Sequence, residues 1–164
     1  MIESILSAFW FFLPAGIANM MASLSGVIPK LRDLSYPMDF YKHYKGQRIL
    51  GEHKTIRGLV MGTLFGALTS GVLNQPLILG LLLGIGAILG DALKSFFKRQ
   101  MQINPGDSFL FFDQVDYIVG GILLSMLHTI LTWQEYAYII LVYFVLHLVV
   151  NVIGYLIGVR KQMI

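Results

Sequence analysis

The sequence predicts an all-α integral membrane protein: a compact bundle of five transmembrane helices, with the N-terminus outside and the C-terminus cytoplasmic. Three observations predict it. Of the 164 residues, 56% are hydrophobic and 13% charged, with mean hydropathy +0.71, against roughly 45–50% apolar usage in soluble domains. The apolar residues gather into five runs, each long enough for a helix and too long for an ordinary strand. The basic residues, finally, fall on alternate connections between those runs. One domain spanning residues 1–164 is expected, with cytoplasmic loops at about 25–57 and 98–113.

The first run, Ile5 to Leu24, follows Glu3 rather than a basic stretch and reads as a retained span, not a cleaved signal peptide. The second, Leu59 to Leu73, and the fourth, Val115 to Leu131, are short for a bilayer core of about 30 Å, so their helices are expected to extend into flanking polar residues. The third, Leu77 to Phe97, carries an acidic interruption at Asp91, and the fifth is Tyr136 to Val159. Lys30, Arg32, Lys42, Lys45, Arg48, Lys54 and Arg57 separate runs one and two; Lys94, Lys98 and Arg99 separate three and four; Arg160 and Lys161 follow five. The connections at Asn74-Gln75-Pro76 and Thr132-Trp133-Gln134-Glu135 contain no cation. Positive charge marks the cytoplasmic side. Topology alone explains that sidedness, so it carries no catalytic inference.

Glycines recur at helical spacing: Gly58, Gly62 and Gly66; Gly80 and Gly84; Gly86 and Gly90; Gly154 and Gly158. The spacing predicts close helix packing in lipid. Gly90 carries a second expectation, room for a ligand beside Asp91.

The chemistry concentrates between Gly90 and Gly121. Asp91, Lys94, Ser95 and Lys98 stand at i, i+3, i+4 and i+7 and share one face of a helix end. Asp113 and Asp116 are likewise i, i+3. Acids at membrane depth are costly, which makes them functional-site candidates. A buried ion pair of Asp91 with Lys94 or Lys98, and helix capping by Asp113, are the plain structural alternatives. Three carboxylates suit magnesium, a hard cation that takes oxygen ligands. Zinc suits the chain less: it has no cysteine, and His43, His53, His128 and His147 are scattered, the last two better read as hydrogen-bonded structural groups. Lys54 and Arg57, i, i+3 before the second run, would bind phosphate or simply meet anionic headgroups. Gly46 and Gly51 do not form a Walker A loop, because Glu-His-Lys-Thr follows and no strand precedes. Asn19 and Asn151 lie at membrane depth, where hydrogen bonding between helices explains them more simply than a cavity.

Four segments carry a resemblance: LGEHKTIRG (Leu50 to Gly58), GDALKSFFKR (Gly90 to Arg99), PGD (Pro105 to Asp107) and FDQVD (Phe112 to Asp116). The chain resembles the CTP-dependent lipid cytidylyltransferases, and among them the archaeal CDP-archaeol synthases. Ser95-Phe96-Phe97-Lys98-Arg99 and Asp113-Gln114-Val115-Asp116 match the S-x-x-K-R and D-x-x-D pieces of the phosphatidate cytidylyltransferase signature. Gln114 replaces the arginine usual in bacterial and eukaryotic members, and their His-Gly-Gly segment is missing. The resemblance implies a multi-pass cell-membrane enzyme that joins CTP to a prenylated glycerol phosphate lipid, 2,3-bis-O-geranylgeranylglyceryl phosphate, at the cytoplasmic face, with release of pyrophosphate. It implies one or two Mg²⁺ ions on Asp91, Asp113 and Asp116, catalysis by these and Lys94, and contacts to nucleotide and phosphate from Lys54, Arg57, Ser95, Lys98 and Arg99. Nucleic acid is not expected as a partner. A CDP-alcohol phosphotransferase lacks support, since no Ala-Arg follows Asp91. The non-enzyme alternative is a small transporter or channel using the intramembrane carboxylates.

Overall fold

The structure is a computed structural model and describes residues 2–103 and 112–156; the Pro105 to Asp107 segment and the Gly158, Arg160 and Lys161 expectations lie outside them. Its elements are helix α1 (Ile2–Leu24), the short helix α2 (Pro29–Arg32), strands β1 (His43–Tyr44) and β2 (Gln47–Arg48), then helices α3 (Ile56–Val72), α4 (Leu77–Gln100), α5 (Phe112–Ser125) and α6 (Trp133–Leu156). The five long helices correspond to the five apolar runs. Three of them, α1, α4 and α6, are long and apolar enough to cross a membrane, and α3 is a shorter apolar helix.

Two features differ from the sequence expectation. The fourth helix starts earlier, at Phe112, and ends at Ser125 rather than near Leu131. Its end is fixed by Ser125, whose hydroxyl donates to the Ile122 carbonyl (2.8 Å) and whose own carbonyl accepts from His128 and Thr129. The all-α expectation also omits a two-stranded hairpin. β1 and β2 pair antiparallel, His43 opposite Arg48 and Tyr44 opposite Gln47. Lys45 (φ 50°) and Gly46 (φ 80°) make its two-residue turn, the left-handed pair that matches strand twist.

Helix α3 buries small residues and exposes large ones. On α3, Gly58, Gly62, Gly66 and Ser70 face inward, while Val60, Leu64, Leu68 and Val72, two residues out of phase, are exposed. With no hydrophobic drive between helices in lipid, close backbone packing is what such a face supplies. α4 is the central helix, touching α1, α3 and α5. A core of Phe12, Leu83, Ala87, Ile118, Ile139 and Tyr143 joins α1, α4, α5 and α6. The Tyr143 hydroxyl donates to the Phe9 carbonyl (2.7 Å), and that of Tyr117 to the Tyr143 carbonyl (3.1 Å). At the opposite end from the cations, Thr132 and Glu135 form a capping box at the start of α6, the carboxylate accepting from the Thr132 amide at 2.8 Å.

One glycine contact sets the position of the site. A Cβ on Gly90 would fall on the Asp116 carbonyl oxygen, and one on Gly120 would fall on the Gly86 carbonyl oxygen. α4 and α5 therefore touch backbone to backbone. The space beside Asp91 that the sequence offered to a ligand is filled by α5: Gly90 is bare so that the two helices meet.

Candidate active site

That contact brings the acids of α5 against the cations of α4. Lys94 is the meeting point. Its Nζ lies 3.1 Å from Asp91 Oδ1, 3.2 Å from Asp113 Oδ1 and 2.5 Å from Asp116 Oδ2. Lys98 Nζ bonds both Asp113 oxygens at 2.9 Å. Lys54 reaches in from the loop before α3, 2.5 Å from Asp91 Oδ2. Three carboxylates and three ammonium groups thus form one cluster with balanced charge. It is sheltered but not sealed: Asp91 and Asp113 side chains are 22% exposed, that of Asp116 5%.

The structural alternatives for single acids are absorbed by this network. Asp91 is ion-paired, with Lys94 and also with Lys54. Asp113 stands inside the first turn of α5, its carboxylate engaged by lysines of α4. Asp116 Oδ1 accepts from the Tyr117 amide at 2.6 Å. Its Oδ2 is buried and close to Lys94, yet outside hydrogen-bonding alignment.

A divalent cation is testable against this donor set. Every donor is a carboxylate oxygen, as magnesium prefers, all three carboxylates converge on one point, and a buried Asp116 oxygen lacks an aligned donor. Among the described residues, no three acidic or histidine side chains stand close enough as placed to grip one ion, and the Lys94 ammonium lies between the three carboxylates. The residues fit magnesium in kind, and the cation on which the three carboxylates converge here is the Lys94 ammonium.

Of the other residues singled out from sequence, Arg57 turns away from the cluster, donating to Ser25 Oγ (3.1 Å), the Leu31 carbonyl (3.1 Å) and Ser35 Oγ (2.5 Å). It still lines a cleft of about 410 Å³ with Lys54, Asp91, Glu52 and His53. Ser95 is buried and donates to the Asp91 carbonyl at 3.0 Å, inside its own helix. Arg99 donates to the Ile103 carbonyl (3.2 Å), and its buried Nε lacks a hydrogen-bond partner. With Gln47, Arg48, His53 and Gln102 it lines a second polar cleft of about 670 Å³. Glu52 and His53 border both clefts. On the other side of the same loop, Leu50 helps line an apolar groove of about 590 Å³ along α4 and α5, with Leu89, Leu93, Phe96 and Leu123.

The sequence reading missed Asp39. Burial pushes its carboxyl up, but Arg48 and the amides of Leu50, Gly51 and Tyr41 outweigh that and hold it far below the ordinary carboxylate range. Arg48 is correspondingly raised by its bond to Asp39. The available signal was a single acid among the cations of residues 34–51.

The fold and the cluster define a class, a helical enzyme of the membrane with a charged site at one end of its bundle. A solved structure of an intramembrane enzyme for archaeal membrane lipids biosynthesis superposes with a TM-score of 0.75 at 29% identity, covering 90% of this chain and 94% of that one. The CarS-like family of CDP-archaeol synthases matches residues 1–163, and the chain belongs to that family. Its relatives include the CDP-archaeol synthase of Methanopyrus kandleri, 36% identical over 93% of this chain and 89% of the relative. That of Methanospirillum hungatei is 36% identical over 91% and 98%.

Proposed function

We propose that the protein is a CTP-dependent cytidylyltransferase that activates 2,3-bis-O-geranylgeranylglyceryl phosphate to its CDP-lipid, releasing pyrophosphate, in archaeal membrane phospholipid synthesis. One observation supports this over other uses of intramembrane charge: the three carboxylates and three lysines meet beside polar clefts on one side and an apolar groove on the other. A water-soluble triphosphate and a lipid phosphate need such a boundary. A channel would need a path to the opposite end, where the described loops carry no cation.

The reaction is a displacement at phosphorus. An oxygen of the lipid phosphate forms a bond to the α-phosphorus of CTP, the bond from that phosphorus to the bridging oxygen breaks, and pyrophosphate leaves with the electron pair. A phosphomonoester has a second pKa near 6, so the nucleophile is largely dianionic at neutral pH and requires no strong base. The chain must instead hold two repelling anions in line. Lys54, Lys94 and Lys98 are the ammonium groups that exchange carboxylate partners for phosphate oxygens, with Arg99 at the wall of the neighbouring cleft. Asp91, Asp113 and Asp116 would hold magnesium, which supplies neutralisation of the leaving group. Lys94 would then yield its central place.

The full topology belongs to the same reading: α3 and α5 complete five crossings, and the cluster opens to the cytoplasm, where CTP is made. Purified protein in detergent should release pyrophosphate from CTP only when a phosphorylated prenyl glycerol lipid and a divalent cation are both present. Intact CTP under those conditions, from folded protein, would overturn the proposal.

A further inference from the structure

The loop that delivers Lys54 is organised around one carboxylate. Between Leu34 and Gly51 the only acid is Asp39. Its side chain is fully buried, although Tyr36, Phe40, Tyr41 and Tyr44 around it are about half exposed. Its two oxygens accept from five donors. Arg48 supplies Nε (3.2 Å) and Nη2 (2.6 Å); the amides of Tyr41 (3.1 Å), Leu50 (3.0 Å) and Gly51 (3.1 Å) supply the rest. The conformation it holds is one the chain would not choose locally. Phe40 (φ 50°) and Tyr41 (φ 63°) are consecutive left-handed residues with bulky side chains, a backbone state that persists only where the surroundings impose it.

From this hub two ties run to Lys54. The Lys54 carbonyl accepts from the amide of Met38, next to Asp39, at 2.8 Å. The Lys54 amide donates to the carbonyl of Gly51 at 3.4 Å, and Gly51 is the residue whose own amide Asp39 holds. Immediately beyond, Thr55 caps α3 by accepting from the Gly58 amide at 3.1 Å. The Lys54 backbone is therefore fixed between the helix start and the Asp39 hub, and its ammonium is directed onto Asp91.

We propose that Asp39 is a positioning residue: acting through Arg48 and three backbone amides, it fixes residues 50–54 so that Lys54 is presented to Asp91. The proposal rests on the reading of this cluster as the site of cytidylyl transfer. Asp39 touches no reacting atom; its whole effect on turnover passes through Lys54. A merely structural clamp would instead add its own loss whatever residue stood at position 54.

The test uses the full chain in detergent as four proteins: wild type, Asp39→Asn, Lys54→Ala and the double variant, with folding verified by melting. Displacing a positioned group by about an ångström costs on the order of 100-fold in turnover, which is the loss expected of Asp39→Asn. In the Lys54→Ala background the same change should cost less than about threefold, the mark of two residues acting as one unit. Equal fold-losses in the two backgrounds, or full activity of Asp39→Asn, overturn the proposal. A second readout needs no activity. Acylation of Lys54 by a small amine-directed reagent, followed by mass spectrometry, should rise several-fold in Asp39→Asn because the ammonium is no longer held on Asp91; unchanged labelling overturns the proposal. If Asp39→Asn does not fold, Arg48→Gln takes its place in both measurements, since it removes two donors and leaves the three backbone bonds. Wild type that releases no pyrophosphate overturns the reaction, whereas active wild type with additive losses overturns the role of Asp39 alone.

Discussion

Replacing Lys94 by methionine removes the single cation common to Asp91, Asp113 and Asp116 while keeping most of the side-chain volume. At the observed separations of 3.1, 3.2 and 2.5 Å, each ion pair has a gross attraction of about 5–7 kcal/mol at an effective dielectric constant near 20. Desolvation and carboxylate repulsion offset most of that, and stranding a buried charge typically costs a net of about 3–5 kcal/mol. For a chain of this length 1 kcal/mol moves the midpoint by roughly 2–4 °C, so Lys94→Met should melt roughly 6–20 °C below wild type in EDTA. Magnesium reverses the comparison. With the central ammonium gone, the divalent cation competes only with Lys54 and Lys98 at the edges of the cluster, and added Mg²⁺ should raise the midpoint of Lys94→Met more than that of wild type, by binding to the folded state alone. Differential scanning fluorimetry with an added hydrophobic dye or intrinsic tryptophan reads both numbers. A variant that melts within about 2 °C of wild type in EDTA, or that gains no more from Mg²⁺, would refute the central place given to Lys94.

The remaining predictions concern other parts of the molecule. Asp91→Asn, Asp113→Asn and Asp116→Asn keep the side-chain shape but lose the anionic ligand, so pyrophosphate release should fall by about 10²-fold or more in each, with the protein still folded; near-normal rates in all three would remove the metal assignment. Gly90→Ala puts a methyl onto the Asp116 carbonyl and should destabilise by about 1–3 kcal/mol while lowering turnover, because α4 and α5 must separate; an unchanged midpoint would mean the helices do not pack as described. Since Asp39 has a lower pKa folded than unfolded, its stabilisation is complete above the unfolded value near 3.9 and is lost as pH falls below it toward the folded value. Wild-type melting points should therefore drop from pH 4 downward more steeply than those of Asp39→Asn, and parallel curves would contradict the buried clamp. For topology, single cysteines at Lys45 and Gln134 of this cysteine-free chain should react with an impermeant thiol reagent on intact cells at position 134 and not at 45; labelling at 45 alone would reverse the orientation.

The membrane class was legible in composition, and the helices were legible because an apolar run must satisfy its backbone internally wherever it crosses lipid. The cost of charge in that setting marked Asp91, Lys94, Asp113 and Asp116 as a candidate site before any fold was known. Spacing within a helix could place Asp91 beside Lys94, and Asp113 beside Asp116, since i and i+3 share a face. It could not show that the two faces meet on one ammonium, because that depends on which helices pack and in what register, and the backbone contact of Gly90 with Asp116 sets both. The same limit governed the loop. Lys54 and Arg57 are neighbours on paper, yet one reaches Asp91 and the other braces Ser25 and Ser35. Ser95 shares the face of Lys98 in spacing but donates to its own helix. Asp39 has no periodicity to betray it: its five donors come from a hairpin strand, an aromatic turn and the approach to α3, and only the folded chain brings these around one carboxylate. Local sequence determines which groups can be charged, helical or buried; long-range packing decides which of them touch.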